Sequence, residues 1–166
     1  MSPAAKTRGI ADHHTDRYGD DPVFLLDVNV LLALLDPLHS HHGQAHDWFA
    51  GHGQAWASCA ITLNGALRIM AHPGYSNPLA TVAQAAGLLA DLCRHPGHRF
   101  WPGDLNLLTS ARVDRTRLAT PNQITDTWLL ALAVHHGGRL ATFDRRLARN
   151  AIDGGAQALE VIGGRD

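Results

Sequence analysis

The chain is organised around the stretch Phe24-Leu25-Leu26-Asp27-Val28-Asn29-Val30-Leu31-Leu32-Ala33-Leu34-Leu35-Asp36. Residues 23–26 are continuously apolar, as in a strand buried on both faces, and the apolar residues of 30–35 then repeat with helical spacing. Asp27 and Asn29 lie where the strand passes into the helix. Ligands of open parallel sheets gather beyond the carboxyl ends of the strands, so Asp27 is a candidate for chemistry. The alternative is that Asp27 only caps the helix, with its side-chain oxygen accepting a backbone N–H.

The composition indicates one globular domain. A chain of 166 residues, 45% of them hydrophobic, is long enough to bury a core without disulfide or metal support. It has no apolar run of about 18 residues and no secretory signal pattern, so we expect a soluble, cytoplasmic protein without a membrane segment. Cys59 and Cys93 are far apart and are expected to be reduced and buried. Residues 1–21, which hold hardly any large apolar residue, are expected to form a flexible tail before a domain at 22–166.

The charge is unevenly distributed along the chain. A net charge of −1 gives no general electrostatic attraction for nucleic acid. Between residues 94 and 149, however, nine arginines occur with only four aspartates. This region is predicted to present a cationic surface suited to phosphate, with a solvated face of mixed charge as the alternative. The arginines considered for RNA contact are Arg112, Arg115, Arg117, Arg145 and Arg146.

Strand and helix patterns alternate along the rest of the chain. Helices are predicted over about 40–49, 61–70, 79–93, 124–136 and 145–150, and strands over 55–59, 98–101, 139–143 and 159–162. This alternation predicts an α/β fold with a central, mostly parallel sheet of about five strands flanked by helices.

Two groups of histidines raise the question of metal binding. His39, His42 and His46 share one helical face, but no glutamate or cysteine accompanies them, so a solvated surface position is preferred to a zinc site. His135 and His136 close the helix at 124–136, and an interaction with its negative end is preferred to a ligand role.

Three aspartates are predicted to converge at one edge of the sheet. Asp27 follows the first strand, Asp144 follows the strand at 139–143, and Asp126 lies in the opening turn of the long helix. Clustered carboxylates repel each other unless a cation lies between them, so convergence implies Mg²⁺ or Mn²⁺ held by oxygen ligands. Such an ion activates water and stabilises the charge of a phosphodiester under attack. The spacing alone leaves the convergence open.

The motifs around these aspartates resemble those of the PIN domain, as found in VapC-type toxins of bacterial toxin–antitoxin systems. The three motifs are Leu26-Asp27-Val28-Asn29-Val30-Leu31, Ile124-Thr125-Asp126 and Leu140-Ala141-Thr142-Phe143-Asp144-Arg145-Arg146-Leu147. The resemblance extends over nearly all of residues 23–162, including the order of the elements.

This resemblance implies a Mg²⁺-dependent endoribonuclease that cuts structured RNA, such as a tRNA or rRNA loop, and that is silenced by a cognate VapB-type antitoxin. Homodimerisation is implied in the same way. By motif matching, Asp27, Asp126 and Asp144 hold metal and position water, while Asn29 and Thr142 orient them by hydrogen bonds.

One position departs from the family pattern. The family usually has a glutamate in a context like T-E-N-G, and here that stretch reads Thr62-Leu63-Asn64-Gly65. Leu63 cannot bind a hard cation, Asn64 is rotated by about 100° on a helix, and the chain's single glutamate, Glu160, lies near the end. We hypothesise lowered metal affinity and slowed cleavage. A naturally weakened nuclease, a relative that only binds and an engineered inactive version all fit the sequence.

Two other functions were weighed against the ribonuclease. The first is a catalytically inactive PIN-fold protein that binds RNA or a protein partner, for which Leu63 is the positive argument. The second is a phosphotransferase of the haloacid dehalogenase type, which also begins with a strand followed by Asp. It ranks lower because that chemistry needs a second Asp where Asn29 stands.

Overall fold

The computed structural model describes residues 21–118 and 120–164. Its strands are β1 (Phe24–Leu26), β2 (Trp56–Cys59), β3 (His98–Trp101), β4 (Arg139–Thr142) and β5 (Leu159–Val161). Its helices are α1 (Val28–Leu35), α2 (His42–His52), α3 (Ala60–Met70), α4 (Val82–Cys93), α5 (Ile124–His135) and α6 (Gly155–Ala158). Short 3₁₀ turns cover Arg115–Arg117, Pro121–Gln123 and Arg149–Ala151. Apart from Asp21, the predicted tail at 1–21 lies outside the described residues.

All five strands are parallel and form one sheet in the order β3-β2-β1-β4-β5. The predicted α/β sheet is therefore confirmed. Chain connections from β1 lead outward through β2 to β3, whereas β4 and β5 lie on the other side of β1. The order thus reverses between β1 and β4, and a crevice opens beyond the carboxyl ends of these two strands.

The continuous apolar run of β1 is explained by helices on both faces of the sheet. Leu25 packs with α5 in one core cluster, while Phe24 and Leu26 pack with α1 and α3 in the other. All three β1 residues are buried because β1 also lies between β2 and β4. Helices α1 to α4 cover one face, and α5 and α6 cover the other.

Helices α1 and α3 approach each other closely where the crevice begins. A Cβ atom added to Gly65 would lie 2.8 Å from Cγ2 of Val28. Glycine at position 65 therefore lets α3 pass against the first residue of α1, which fixes the distance between these helices.

The histidines near α2 bond to the backbone of α1. A ring nitrogen of His42 lies 2.8 Å from the carbonyl oxygen of Ala33, and one of His46 lies 3.0 Å from that of Leu34. The last carbonyl groups of a helix have no hydrogen-bond partner within the helix. Each of these two histidine rings supplies such a partner to one carbonyl of α1. The preference for surface histidines over a zinc site agrees with this arrangement, although their bonding to α1 was not predicted.

Two details of the predicted elements are wrong. Residues 145–150 do not form one helix, because the Asp144 Oδ1 accepts the N–H of Arg146 at 2.7 Å and holds a turn there. A 3₁₀ turn follows at Arg149–Ala151. The helix predicted from residue 79 begins only at Val82, since Thr81 and Gln84 form a capping box at its start.

None of the described helices is both long enough and apolar enough to cross a membrane. Cys59 and Cys93 are both free thiols; Cys59 is buried and Cys93 is half-buried. The expectation of reduced cysteines agrees with this structure, whereas the expected burial is complete only for Cys59.

Candidate active site

Asp27 lies at the carboxyl end of β1 and is only 6% exposed. Its Oδ1 accepts the N–H of Val28 at 2.6 Å, and its Oδ2 accepts the hydroxyl of Thr142 at 2.8 Å. The first bond makes Asp27 the N-cap of α1, as the alternative interpretation of the sequence required. Each carboxylate oxygen keeps a further lone pair, so capping leaves Asp27 able to bind a cation as well.

The pairing of β1 with β4 brings Thr142 to this carboxylate. Leu26 pairs with Ala141 across the two strands, so the next residues, Asp27 and Thr142, come side by side. Thr142 is buried, and its hydroxyl oxygen also accepts the N–H of Asp144 at 3.1 Å. One hydroxyl group therefore holds Asp27 and the backbone of Asp144 in fixed relation.

Asp126 reaches the same place from the first turn of α5, where it is half-buried. Burial, followed by the negative charges of Asp27 and Asp144, raises the pKa of Asp126 to about 6. Burial likewise raises the pKa of Asp27, against the hydrogen bonds from Thr142 and Val28 that lower it, and the charge of Asp144 adds to the rise. The three carboxyl groups are thus close enough to repel one another, which is the condition that a bound cation relieves.

A cleft of about 540 Å³ opens beside these groups. Asp27, Asn29 and Asp126 line it, and Asn29 is exposed to solvent there. The opposite wall comes from α3, through Asn64 and Arg68 among other residues. Asp144 is half-buried and does not belong to the lining. The cleft lies at the reversal of strand order, where the sheet topology places a ligand.

Leu63 and Asn64 face different surroundings on α3. Leu63 is half-buried and packs against the core beside α1, whereas the cleft is lined by Asn64. Glu160 gives no replacement carboxylate, because it pairs with Arg139 at 2.9 Å and lies 3.4 Å from the indole N–H of Trp48. The α3 wall of the cleft therefore contributes a neutral amide where a carboxylate was expected.

Arg68 is the lining residue that sequence reasoning missed. It lies four residues after Asn64, on the same face of α3, and so brings a positive charge to the cleft. The sequence predicted a cationic surface only for residues 94–149, and Arg68 lies outside that range. Helical spacing from Asn64 could have found it.

The five arginines considered for RNA contact do not gather at the acidic groups. None of them, all five being described by the structure, lines the acidic cleft. Arg117 pairs with Asp114 at 3.0 Å, Arg145 donates to the carbonyl of Gly163 at 2.7 Å, and Arg115 donates to the carbonyl of Leu108. Arg112 and Arg117 instead line a separate cavity of about 440 Å³ together with Arg149. Arg146 contributes its backbone N–H to the turn at Asp144.

Comparison with known proteins identifies the family. The PIN domain family model matches residues 24–153. Ribonuclease VapC44 of Mycobacterium tuberculosis is 49% identical over 131 residues, which are 78% of this chain and 92% of that protein. Ribonuclease VapC39 of the same organism is 40% identical over 136 residues, 81% of this chain and 98% of that protein. Ribonuclease VapC38 is 36% identical over 121 residues, 72% of this chain and 84% of that protein. The family resemblance drawn from the sequence is thus confirmed, and the chain belongs to the PIN-domain family as a toxin of the VapC ribonuclease type.

Proposed function

We propose that this chain is a divalent-metal-dependent endoribonuclease that cleaves structured RNA, such as tRNA or rRNA, at the cleft between α1, α3 and α5. The observation that carries the proposal is the gathering of acidic groups at the reversal of strand order. Asp27 and Asp126 line one cleft. The Thr142 hydroxyl bonds both to Asp27 and to the backbone of Asp144. The ribonuclease names of its relatives support the same class of reaction.

The carboxyl groups present are the ligand type that a hard divalent cation prefers. In this structure the three aspartates do not bring one oxygen each within 4.8 Å of one another, so binding requires their side chains to move closer together. Two carboxyl groups whose pKa values are raised by burial and by neighbouring charge, Asp27 and Asp126, are groups that gain from a cation, and they line an open cleft. We propose Asp27, Asp126 and Asp144 as the metal-binding residues, with Mg²⁺ as the ion and Mn²⁺ as a substitute. When bound, the ion supplies charge for the phosphate and lowers the pKa of water.

The protein groups around the ion have separate tasks in this proposal. The Thr142 hydroxyl orients Asp27 and the backbone of Asp144 at once. Asn29 presents a neutral amide at the solvent side of the cleft, where it can hydrogen-bond the RNA backbone. Arg112, Arg115, Arg117, Arg145 and Arg146 are proposed to contact phosphates further along the RNA.

We propose that the α3 wall weakens this site. Leu63 provides no ligand, and Arg68 brings a positive charge that opposes cation binding. The same two residues favour a second candidate function, a catalytically inactive PIN-fold protein that binds RNA or a protein partner. Arg68 would then attract phosphate directly.

The remaining proposals follow from the family. A cognate VapB-type antitoxin neutralises the protein, which acts as a homodimer in the cytoplasm. Purification of the chain together with its antitoxin tests the first association. Light scattering of the chain after its separation from the antitoxin tests the homodimer. A monomer at all concentrations would contradict the dimer.

The first test measures cleavage of tRNA and rRNA transcripts with and without Mg²⁺, alongside calorimetric Mg²⁺ titration. Asp27→Asn is expected to abolish metal-dependent cleavage, while the exposed Asp47→Asn in α2 serves as the matched control and leaves it unchanged. Cleavage that persists in Asp27→Asn would refute the proposed site. RNA binding without cleavage by the unmodified chain would favour the inactive binding protein.

The second test restores a carboxylate on α3. Leu63→Glu is expected to raise Mg²⁺ affinity and the cleavage rate, because it adds an acidic group where the family usually has one. Asn64→Asp is the comparison, since it places a carboxylate on the cleft-lining face itself. An unchanged cleavage rate in Leu63→Glu at saturating RNA and Mg²⁺ would refute the idea that Leu63 limits activity.

A further inference from the structure

A second group of metal-binding side chains lies at the far end of α5. This helix ends at His135, and His136 is its C-cap. The Nε2 of His136 lies 3.0 Å from one carboxylate oxygen of Asp104, and the Nε2 of His135 lies 3.6 Å from the other. One ligand atom from each of the three residues lies within 4.8 Å of the other two. His135 lies nine positions after Asp126, which is about 14 Å along a helix, so this group is distinct from the acidic cleft.

Neighbouring contacts fix the backbone around Asp104 and the ring of His136. The indole N–H of Trp128 donates to the carbonyl of Leu105 at 2.9 Å, and a Cβ on Gly103 would lie 3.4 Å from the Trp128 ring. The backbone on both sides of Asp104 is thus fixed against α5. The ring of His136 stacks on Trp101, with 4.7 Å between centroids and 16° between planes.

The ligand types and their spacing suit a borderline-soft cation. Two imidazoles and one carboxylate form a three-residue ligand set that leaves a fourth position for water, as at open zinc sites. Tetrahedral bonds of about 2.0–2.1 Å require ligand atoms about 3.3 Å apart. The two histidine nitrogens and one Asp104 oxygen lie within 4.8 Å of one another, so small rotations of the exposed His135 and Asp104 side chains would bring them to this spacing. The negative end of α5 adds attraction for a cation.

We propose that Asp104, His135 and His136 form a binding site for Zn²⁺ or a similar transition-metal dication. The ion replaces the proton that a histidine Nε2 shares with Asp104, and that proton moves to Nδ1 or to solvent. Mg²⁺ is a poor competitor here because it prefers oxygen ligands. The bound metal links Asp104, in the segment after β3, to the two histidines at the end of α5.

The site is tested by calorimetric titration with Zn²⁺. Excess Mg²⁺ is present during the titration so that it occupies the acidic cleft, which prefers this ion. We expect one Zn²⁺ per chain, with affinity reduced at least about tenfold, or about 1.4 kcal/mol, in His135→Gln and in Asp104→Asn. Both residues are exposed, so the variants should fold. Co²⁺ should give the visible absorption of a tetrahedral site in the unmodified chain and lose it in both variants.

Two controls separate this site from others in a chain with 12 histidines. A variant carrying His39→Gln and His41→Gln should keep the Zn²⁺ affinity and the Co²⁺ absorption. Asp27→Asn should also keep them. Loss of binding in either control, or its survival in His135→Gln and Asp104→Asn, would overturn the proposal.

Discussion

Replacing Asp126 by asparagine is expected to stabilise the metal-free protein at neutral pH. The folded structure raises the pKa of Asp126 from 3.8 to about 6, first through burial and then through the charges of Asp27 and Asp144. Ionised Asp126 is therefore unfavourable in the folded state. Because the folded pKa lies above the unfolded one, this penalty is absent below pH 3.8 and grows as the pH rises. It is complete above about pH 6.

The size of the effect follows from this difference. The rise from 3.8 to about 6 corresponds to about 3 kcal/mol at about 1.36 kcal/mol per pKa unit. Asp126 is only half-buried, so solvent screening reduces this to about 1.5 kcal/mol. Asparagine also loses the attraction of a carboxylate to the start of α5, about 0.5 kcal/mol. The net gain for Asp126→Asn is about 1 kcal/mol, or about 3 °C in Tm.

Thermal and urea unfolding in EDTA at about pH 7.5 and about pH 4 measures this difference. The gain should be present at the higher pH and be mostly lost at the lower one, which lies just above the unfolded pKa of 3.8. Asp47→Asn, on the exposed face of α2, is the matched control and should change little at either pH. Mg²⁺ should raise the Tm of the unmodified chain more than that of Asp126→Asn. An equal gain at both pH values, or a loss at neutral pH, would refute the electrostatic argument.

Three other substitutions test individual contacts. Thr142→Val removes the buried hydroxyl that donates to Asp27 at 2.8 Å. We expect urea unfolding to show about 1–3 kcal/mol of destabilisation and calorimetry to show weaker Mg²⁺ binding. Unchanged stability would contradict the role of this bond. Gly65→Ala places a Cβ 2.8 Å from Cγ2 of Val28. This clash should outweigh the helix-propensity gain of about 1 kcal/mol, so the variant should have a lower Tm. A higher Tm would contradict the close approach of α1 and α3. Arg68→Gln removes a positive charge from the cleft and should strengthen Mg²⁺ binding several-fold at low salt. An unchanged Mg²⁺ affinity would mean that the Arg68 side chain points away from the ion.

The sequence predicted best where periodicity and sheet geometry act together. The apolar run before Asp27 predicted a strand buried on both faces, and Leu25 and Leu26 lie in opposite core clusters. Asp27 and Asp144 were expected to meet because carboxyl ends of parallel strands share one edge, and β1 indeed pairs directly with β4. Local patterns were sufficient here, since β1 ends one residue before Asp27 and β4 ends two residues before Asp144.

The sequence predicted poorly where side chains compete with the backbone or act across the chain. The turn at 145–150 depends on the Asp144 carboxylate taking the Arg146 N–H, which overrides helix propensity. Asp104 and His136 meet across 32 positions of the chain, where Trp128 also holds the segment after β3 against α5. Neither pattern repeats with a period, so neither is visible in a sequence without the packing around it.

Leu63 connects the stability of this fold with its proposed chemistry. Three carboxylates already repel each other at the cleft, and a fourth would add to this repulsion while losing the packing of Leu63 against the core. Leu63→Glu should therefore lower the metal-free stability, by about 2 kcal/mol from lost apolar burial and added charge. The same variant should gain more stability from Mg²⁺ than the unmodified chain does, because the ion neutralises the added charge. Melting curves in EDTA and in Mg²⁺ measure both effects. A variant that is destabilised equally in both conditions would mean that the new carboxylate does not reach the ion and that Leu63 matters for packing alone.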